Sequence, residues 1–236
     1  MPPATTSVGI LAAAIHRLEQ SPFPASLDGP TGAMLHTLAP ELSLGMRTLL
    51  GNLWLFGPLV ERVMTGTSTG AAMVRTTTAA TMFDGGVKDN VLPIMAEAVV
   101  NFRILPGETV QSTLDRIRRV VDDERVELEV AYEGAAQDPS PVSDPGGAAF
   151  MLVARTIHET LGNRDLIVLP YLVVGGTDAK YYSGRSPNVF RFLPVSLGER
   201  GPAALHGTDE RLPAQDYADA IRFFHRLIRN TGELSD

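Results

Sequence analysis

Glu97-Ala98-Val99-Val100-Asn101-Phe102-Arg103-Ile104 runs straight into Leu105-Pro106-Gly107, and this stretch decides the fold of the first half of the chain. Ala98, Val100, Phe102 and Ile104 alternate with Glu97, Val99, Asn101 and Arg103, the period of a strand with one face toward a core. Pro106-Gly107 ends it. Downstream, Val110, Leu114, Ile117 and Val121 recur at helical spacing, and Val126, Leu128, Val130 and Tyr132 alternate again as a strand. Upstream, the Thr-rich segment Arg75 to Met82 favours a strand, and Asp84-Gly85-Gly86 reads as the turn after it. Earlier still, Val8, Leu11, Ala12, Ile15 and Leu18 predict a helix with Ser7 as its cap. Helix, strands, helix and strand together make a split β-α-β unit without its opening strand.

Between those elements, residues 21 to 70 hold prolines and glycines around the apolar stretches Met46–Leu50 and Leu53–Val63, and read as helices joined by loops. The only tryptophan lies there, in Trp54-Leu55-Phe56. Large aromatics are mostly buried, so this triplet reads as core, with an exposed contact patch as the alternative. Gly134 to Gly147, with three prolines and three glycines, reads as the domain boundary. The division expected is therefore 1–136 and 137–236. The second part begins with a helix (Phe150, Val153, Ile157, Leu161), continues through strands at Leu166–Val174 and through Phe192, and ends in a helix carrying Tyr217, Ile221, Phe224 and Ile228. The fold class expected is α/β: an α+β lid of split β-α-β type, then the C-terminal part of an α/β catalytic domain.

Composition narrows the function. The 236 residues carry a net charge of −7 and 44% hydrophobic residues, an ordinary globular balance that argues against a nucleic-acid surface. No cysteine is present, so any metal would use His and carboxylate ligands. No apolar run reaches the roughly 18 residues of a membrane span, and the first residues show no leader pattern. The expected compartment is the cytoplasm.

Three places could carry chemistry. Of the five histidines, His16, His158 and His225 fall inside predicted helices and His36 in the ambiguous region, where a helix-flank or satisfied core role is the ordinary one. His206, in His206-Gly207-Thr208-Asp209-Glu210, lies in a polar loop, where function is commonly presented. Gly175-Gly176-Thr177-Asp178 follows a predicted strand end; it is a ligand loop or a plain turn. Arg103 is an exposed charge or, through its planar fork, a two-pronged clamp for a carboxylate.

These segments, in this order, resemble the dinuclear-zinc peptidase and amidohydrolase family of carboxypeptidase S, the Gly-X carboxypeptidases, aminoacylase and the carnosine dipeptidases. Asn90-Val91-Leu92-Pro93 with Asn101 to Gly107 matches the family's lid, where the residues at Asn90 and Arg103 hold substrate, in one branch across the dimer. Gly175, Gly176 and Thr177 match a loop lining the pocket for the substrate's terminal carboxylate, although Ala179-Lys180-Tyr181 departs from the usual continuation. His206 matches the last zinc ligand, with Asp209 where relatives carry asparagine. The resemblance implies two zinc ions per active site, a peptide or N-acyl amino acid as substrate, and a homodimer.

It also implies that this chain corresponds to the C-terminal portion only. The lid histidine, the His-x-Asp motif, the bridging aspartate and the Glu-Glu pair have no counterpart, so the general base is absent and no catalytic residue is assigned. One histidine cannot hold zinc, which takes three or four ligands. The expectation is a fragment of a zinc-dependent carboxypeptidase or aminoacylase, inactive alone. Its rivals are a non-catalytic dimerisation or carboxylate-binding module, and one subunit of a split enzyme completed by a separate N-terminal half.

Overall fold

A computed structural model describes residues 3–132, 134, 136–161, 166–196, 207 and 210–232. The chain divides into two compact units, Met1–Pro141 and Val142–Asp236.

The first unit is built on helix α1 (Ser7–Gln20), strands β1 (Thr77–Asp84) and β2 (Glu97–Arg103), and helix α6 (Val110–Val121). Ala14 and Leu18 of α1 and Ile117 and Val121 of α6 are buried together, with Val100, Phe102, Val126 and Leu128 packed against them. Phe102 meets Phe23 edge-on at 6.1 Å, and the Arg116 guanidinium lies over the Phe23 ring. The cap of α1 is Thr6, whose hydroxyl accepts from the Gly9 N–H. Ser7, the cap expected from sequence, sits inside the helix, and its hydroxyl donates to the Pro93 carbonyl at 2.9 Å. That bond ties the start of the helix to the hairpin loop.

β1 and β2 form an antiparallel hairpin, from Asp84 opposite Glu97 at the loop to Thr77 opposite Arg103 at the open end, with an irregularity between Ala80 and Met82. One extra residue on β1, Thr81, accommodates the shift, and its hydroxyl donates to the Val99 carbonyl. The strand expected at Val126–Tyr132 does not form a ladder. Its inward residues Val126 and Leu128 do reach the core. The alternation therefore marks an extended, half-buried segment correctly, but a ladder also needs a hydrogen-bonding neighbour, which the described residues do not supply.

Residues 21–74 insert a separate helical layer: α2 (Pro30–Leu38), a short 3-10 turn (Ala39–Glu41), α3 (Leu44–Gly51), α4 (Leu53–Met64) and α5 (Ser68–Val74). Leu35, Ala39, Leu50 and Val60 form its buried cluster, with Leu27, Met34 and Leu53 against it. The buried Thr31 hydroxyl donates to the Met73 carbonyl at 2.6 Å, and the Ser26 N–H to the Val74 carbonyl, which closes the layer on α5. Trp54 is not core: it is 83% exposed. Gly57 and Val60 are the buried positions of α4, and Phe56 is only partly covered.

The second unit pairs α7 (Ala148–Leu161) with α8 (Ala214–Thr231). The Asn230 side chain donates to the Thr156 hydroxyl at 2.9 Å and to Glu159 at 3.0 Å, and the Arg226 guanidinium meets the same carboxylate at 2.6 Å. Phe192 and Phe223 stack edge-on at 5.0 Å, as do Phe150 and Phe190 at 5.7 Å. Leu166–Val174 and the segment through Phe192 form no ladder, contrary to expectation, since a ladder needs a hydrogen-bonding neighbour that the described residues do not supply. On α8 the expected stripe is the exposed one: Tyr217, Ile221, Phe224 and Ile228 face out, while Phe223 and Asn230 are buried. Periodicity found an apolar face, and the Thr156–Glu159 polar network on α7 selected the opposite one.

Candidate functional site

Arg103 is held by a rigid backbone. It closes β2 opposite Thr77, on the exposed face opposite Phe102. Just beyond it, Leu105-Pro106-Gly107-Glu108 forms a turn in which the Glu108 N–H donates to the Leu105 carbonyl at 3.0 Å and Gly107 takes φ +101°. Proline at the second position and a positive φ at the third are the requirements of a type II turn, and only glycine meets the latter without strain. The buried Thr76 hydroxyl accepts from the Leu105 N–H at 2.9 Å and donates to the Glu108 carboxylate at 2.7 Å. Both strand ends around Arg103 are thereby fixed, and Arg103 itself is exposed.

Asn90 occupies the exposed turn of the hairpin loop, where the Val91 N–H donates to the Lys88 carbonyl. Pro93 anchors this loop at the closed end of the hairpin: it bonds Ser7, and a Cβ on Gly86 would meet its ring at 3.8 Å. Glu97 to Arg103 spans about 20 Å at strand rise. Asn90 and Arg103 therefore stand at opposite ends of the hairpin and do not converge on one point within a single chain.

In the second unit, Gly175, Gly176 and Thr177 form an exposed bend leading into a 3-10 turn, Asp178–Tyr181. A Cβ at Gly175 or Gly176 would meet nothing within 4 Å, and neither glycine has a positive φ. Nothing inside the chain requires glycine there, so the bend leaves open space. The Thr177 hydroxyl accepts from the Arg191 guanidinium at 2.9 Å. Arg191 is a residue that sequence reasoning passed over, since its place between Phe190 and Phe192 reads as an ordinary outward position of a strand. The structure puts a cation beside the Gly-Gly-Thr bend.

His206 lies outside the described residues, as does Asp209. His16, His36, His158 and His225 are all exposed on or beside helices, in keeping with their ordinary reading. Among the described residues no three His, Asp or Glu side chains are grouped to hold a metal ion. These residues do not fit a zinc site by themselves. Also among the described residues, no helix is long and apolar enough to cross a membrane.

The profile of the peptidase dimerisation domain matches residues 3–129. The chain is 39% identical over 232 residues to the N-fatty-acyl-amino acid synthase/hydrolase PM20D1 of Bos taurus, covering 97% of this chain and 45% of that protein. It is 38% identical to the Xenopus tropicalis protein of the same name, over 98% of this chain and 44% of that one. A carboxypeptidase S-like protein of Dictyostelium discoideum is 36% identical, with 98% and 44% covered. The chain thus spans a little under half the length of the curated relatives it matches. No solved structure matches it.

Proposed function

The chain belongs to the M20 peptidase dimerisation-domain family, and from that premise we propose that it supplies the lid and part of the substrate pocket of a hydrolase cleaving N-acyl-amino-acid or peptide amide bonds. The observation that carries this reading is Arg103. Its guanidinium is carried at a strand end that a type II turn and a buried hydroxyl hold in place, and such a fork is suited to a substrate carboxylate. The Gly-Gly-Thr bend with Arg191 is a second anion-binding element of the same chemistry. Complementary polar groups fixed in advance raise affinity by lowering the cost of ordering the site. The separation of Asn90 from Arg103 favours a homodimer, in which the two ends of a hairpin serve different substrates or different sites.

Zinc enters this reading only with the complete enzyme. There it would lower the pKa of a bound water and polarise the amide carbonyl. His206 is the one residue here proposed as a ligand, so the purified chain should retain no stoichiometric zinc after dialysis; elemental analysis showing one or more ions per chain would contradict this.

The test of the carboxylate clamp joins this chain to the remaining part of a relative to form an active enzyme. Arg103→Lys keeps the charge but loses the fork. It should lower kcat/KM by roughly one to two decades for substrates with a free terminal carboxylate, the loss expected for a charge-assisted hydrogen bond. It should leave substrates with an amidated terminus nearly unchanged. Equal rates for parent and variant on the acid substrates would make Arg103 an ordinary surface charge.

A further inference from the structure

We propose that the cleft between α2 and α4 binds the long acyl chain of an N-acyl amino acid, an inference that rests on the substrate class proposed above. The cleft measures about 750 Å³, within the range of about 300–1,000 Å³ typical of small-ligand pockets. Its walls are two helical stripes. On one side stand Gly32, Ala33 and His36 of α2 with Gly29, the residue before the helix, and on the other Trp54, Gly57, Pro58 and Glu61 follow the i, i+3, i+4, i+7 spacing of one face of α4. Here most facing positions carry no long side chain, and a trough is left.

Part of that pattern is explained by the backbone. Gly29 has φ +80°, and a Cβ at Gly32 would lie 2.0 Å from the Leu27 carbonyl oxygen. Gly57 has no such reason. A Cβ there would make only an ordinary contact, 3.9 Å from Leu27 Cδ1, and its φ is not positive. Ala33 likewise stands where a larger residue would fill the trough. At Gly57, at least, the small residue is not required by the backbone.

Charge identifies the part of the substrate that fits. The lining contains Asp28 and Glu61 and neither Lys nor Arg. The one imidazole, His36, is outnumbered by these two carboxylates, so an anionic head placed there would meet predominantly like charge. Leu27, Leu53 and Trp54 offer apolar wall to an uncharged chain. The cleft thus suits the neutral tail and not the acid head. Trp54, read from sequence as core and found exposed, is a wall of this trough.

Trp54 is the only tryptophan in the chain, so its fluorescence reports occupancy directly. The purified chain is titrated with N-dodecanoylglycine below its micelle concentration. The expected result is a saturable blue shift, with affinity falling about twofold to fourfold for each CH₂ removed from the acyl chain, and no response to N-acetylglycine. 1-Decanol should shift the emission as well, because the head group is not held in the cleft. Ala33→Phe should weaken both responses at least tenfold while circular dichroism and melting stay unchanged, and Gly57→Leu provides the same test should the first variant misfold. Unchanged emission with both probes overturns the proposal. So does a shift with 1-decanol alone, or a ligand-free shift on concentration that tracks dimer formation, which would mean that a second copy fills the trough. Because the acid–amide discrimination of Arg103 is measured separately, a silent Trp54 with intact discrimination sinks the cleft and leaves the proposed function standing.

Discussion

At the scale of single residues, small polar groups set the positions of the candidate functional ones. Thr76 is almost fully buried, and its one hydroxyl serves as both acceptor for Leu105 and donor to Glu108. Thr76→Val keeps the shape and removes both bonds, stranding the Leu105 N–H in a part-buried site. A cost of about 1–3 kcal/mol is expected, read as a lower urea midpoint. Gly107→Ala should cost on the order of 1 kcal/mol by a different route, since alanine at φ +101° is strained whatever the space around it. In the second unit, the guanidinium of Arg226, aided by the Asn230 amide, lowers the Glu159 carboxyl from 4.5 to about 2. A depressed folded-state pKa stabilises the fold fully above the unfolded value and loses that effect as pH falls through the folded one. The stability difference between the parent and Glu159→Gln should therefore be largest near neutral pH and shrink as pH is lowered from about 4.5 toward 2; a difference that stays constant across that window would contradict the assignment.

At the scale of elements, periodicity located almost every helix and only half-located the strands. Leu114, Ile117 and Val121 read as a stripe and pack as one, because α6 finds α1 within the chain. Val126, Leu128 and the run from Leu166 carry a strand's pattern without a ladder, because pairing depends on a neighbour that the local sequence does not encode. The α8 face failed for a related reason. An apolar stripe states that something can be covered, and only the partner decides which face is. The strand end at Arg103, the Pro106-Gly107 turn and the Gly-Gly bend were legible because turn chemistry is local, while the substrate roles proposed for them came from the family resemblance. Arg191 beside Thr177 and the α2–α4 trough depend on contacts 14 or more residues apart and were not legible. The two faces of α8 give a direct check. Phe223→Ala should destabilise the second unit by about 3–5 kcal/mol, as for a buried aromatic. Ile228→Ser, at a position 72% exposed, should change stability by less than about 0.5 kcal/mol. Chemical denaturation of both variants measures this, and a large loss at Ile228 would mean that the exposed stripe is covered in the folded chain.

At the scale of the whole molecule, one block of exposed apolar surface lies on the hairpin. Met82 and Phe83 of β1 are exposed, as are Val87, Ile94 and Met95 of the adjoining loop. Among the described residues, β1 pairs only with β2, so its other edge presents unused N–H and C=O groups. An open edge flanked by apolar side chains is a template for pairing with another strand, and a second copy of the same chain offers an identical edge. Two such edges meeting antiparallel form a closed, self-complementary contact, the commonest arrangement of soluble homo-oligomers. It would continue the hairpin into a four-stranded sheet across the pair and bring one protomer's loop to a place its own β2 end cannot reach. We therefore expect light scattering to give the mass of a dimer at micromolar concentration. Met82→Lys combined with Phe83→Lys places two positive charges on each edge, directly against those of the partner, and should shift the mass to that of a monomer without altering the far-ultraviolet circular dichroism. A parent chain that stays monomeric across a wide concentration range, or a double variant that stays dimeric, would remove β1 as the dimer edge.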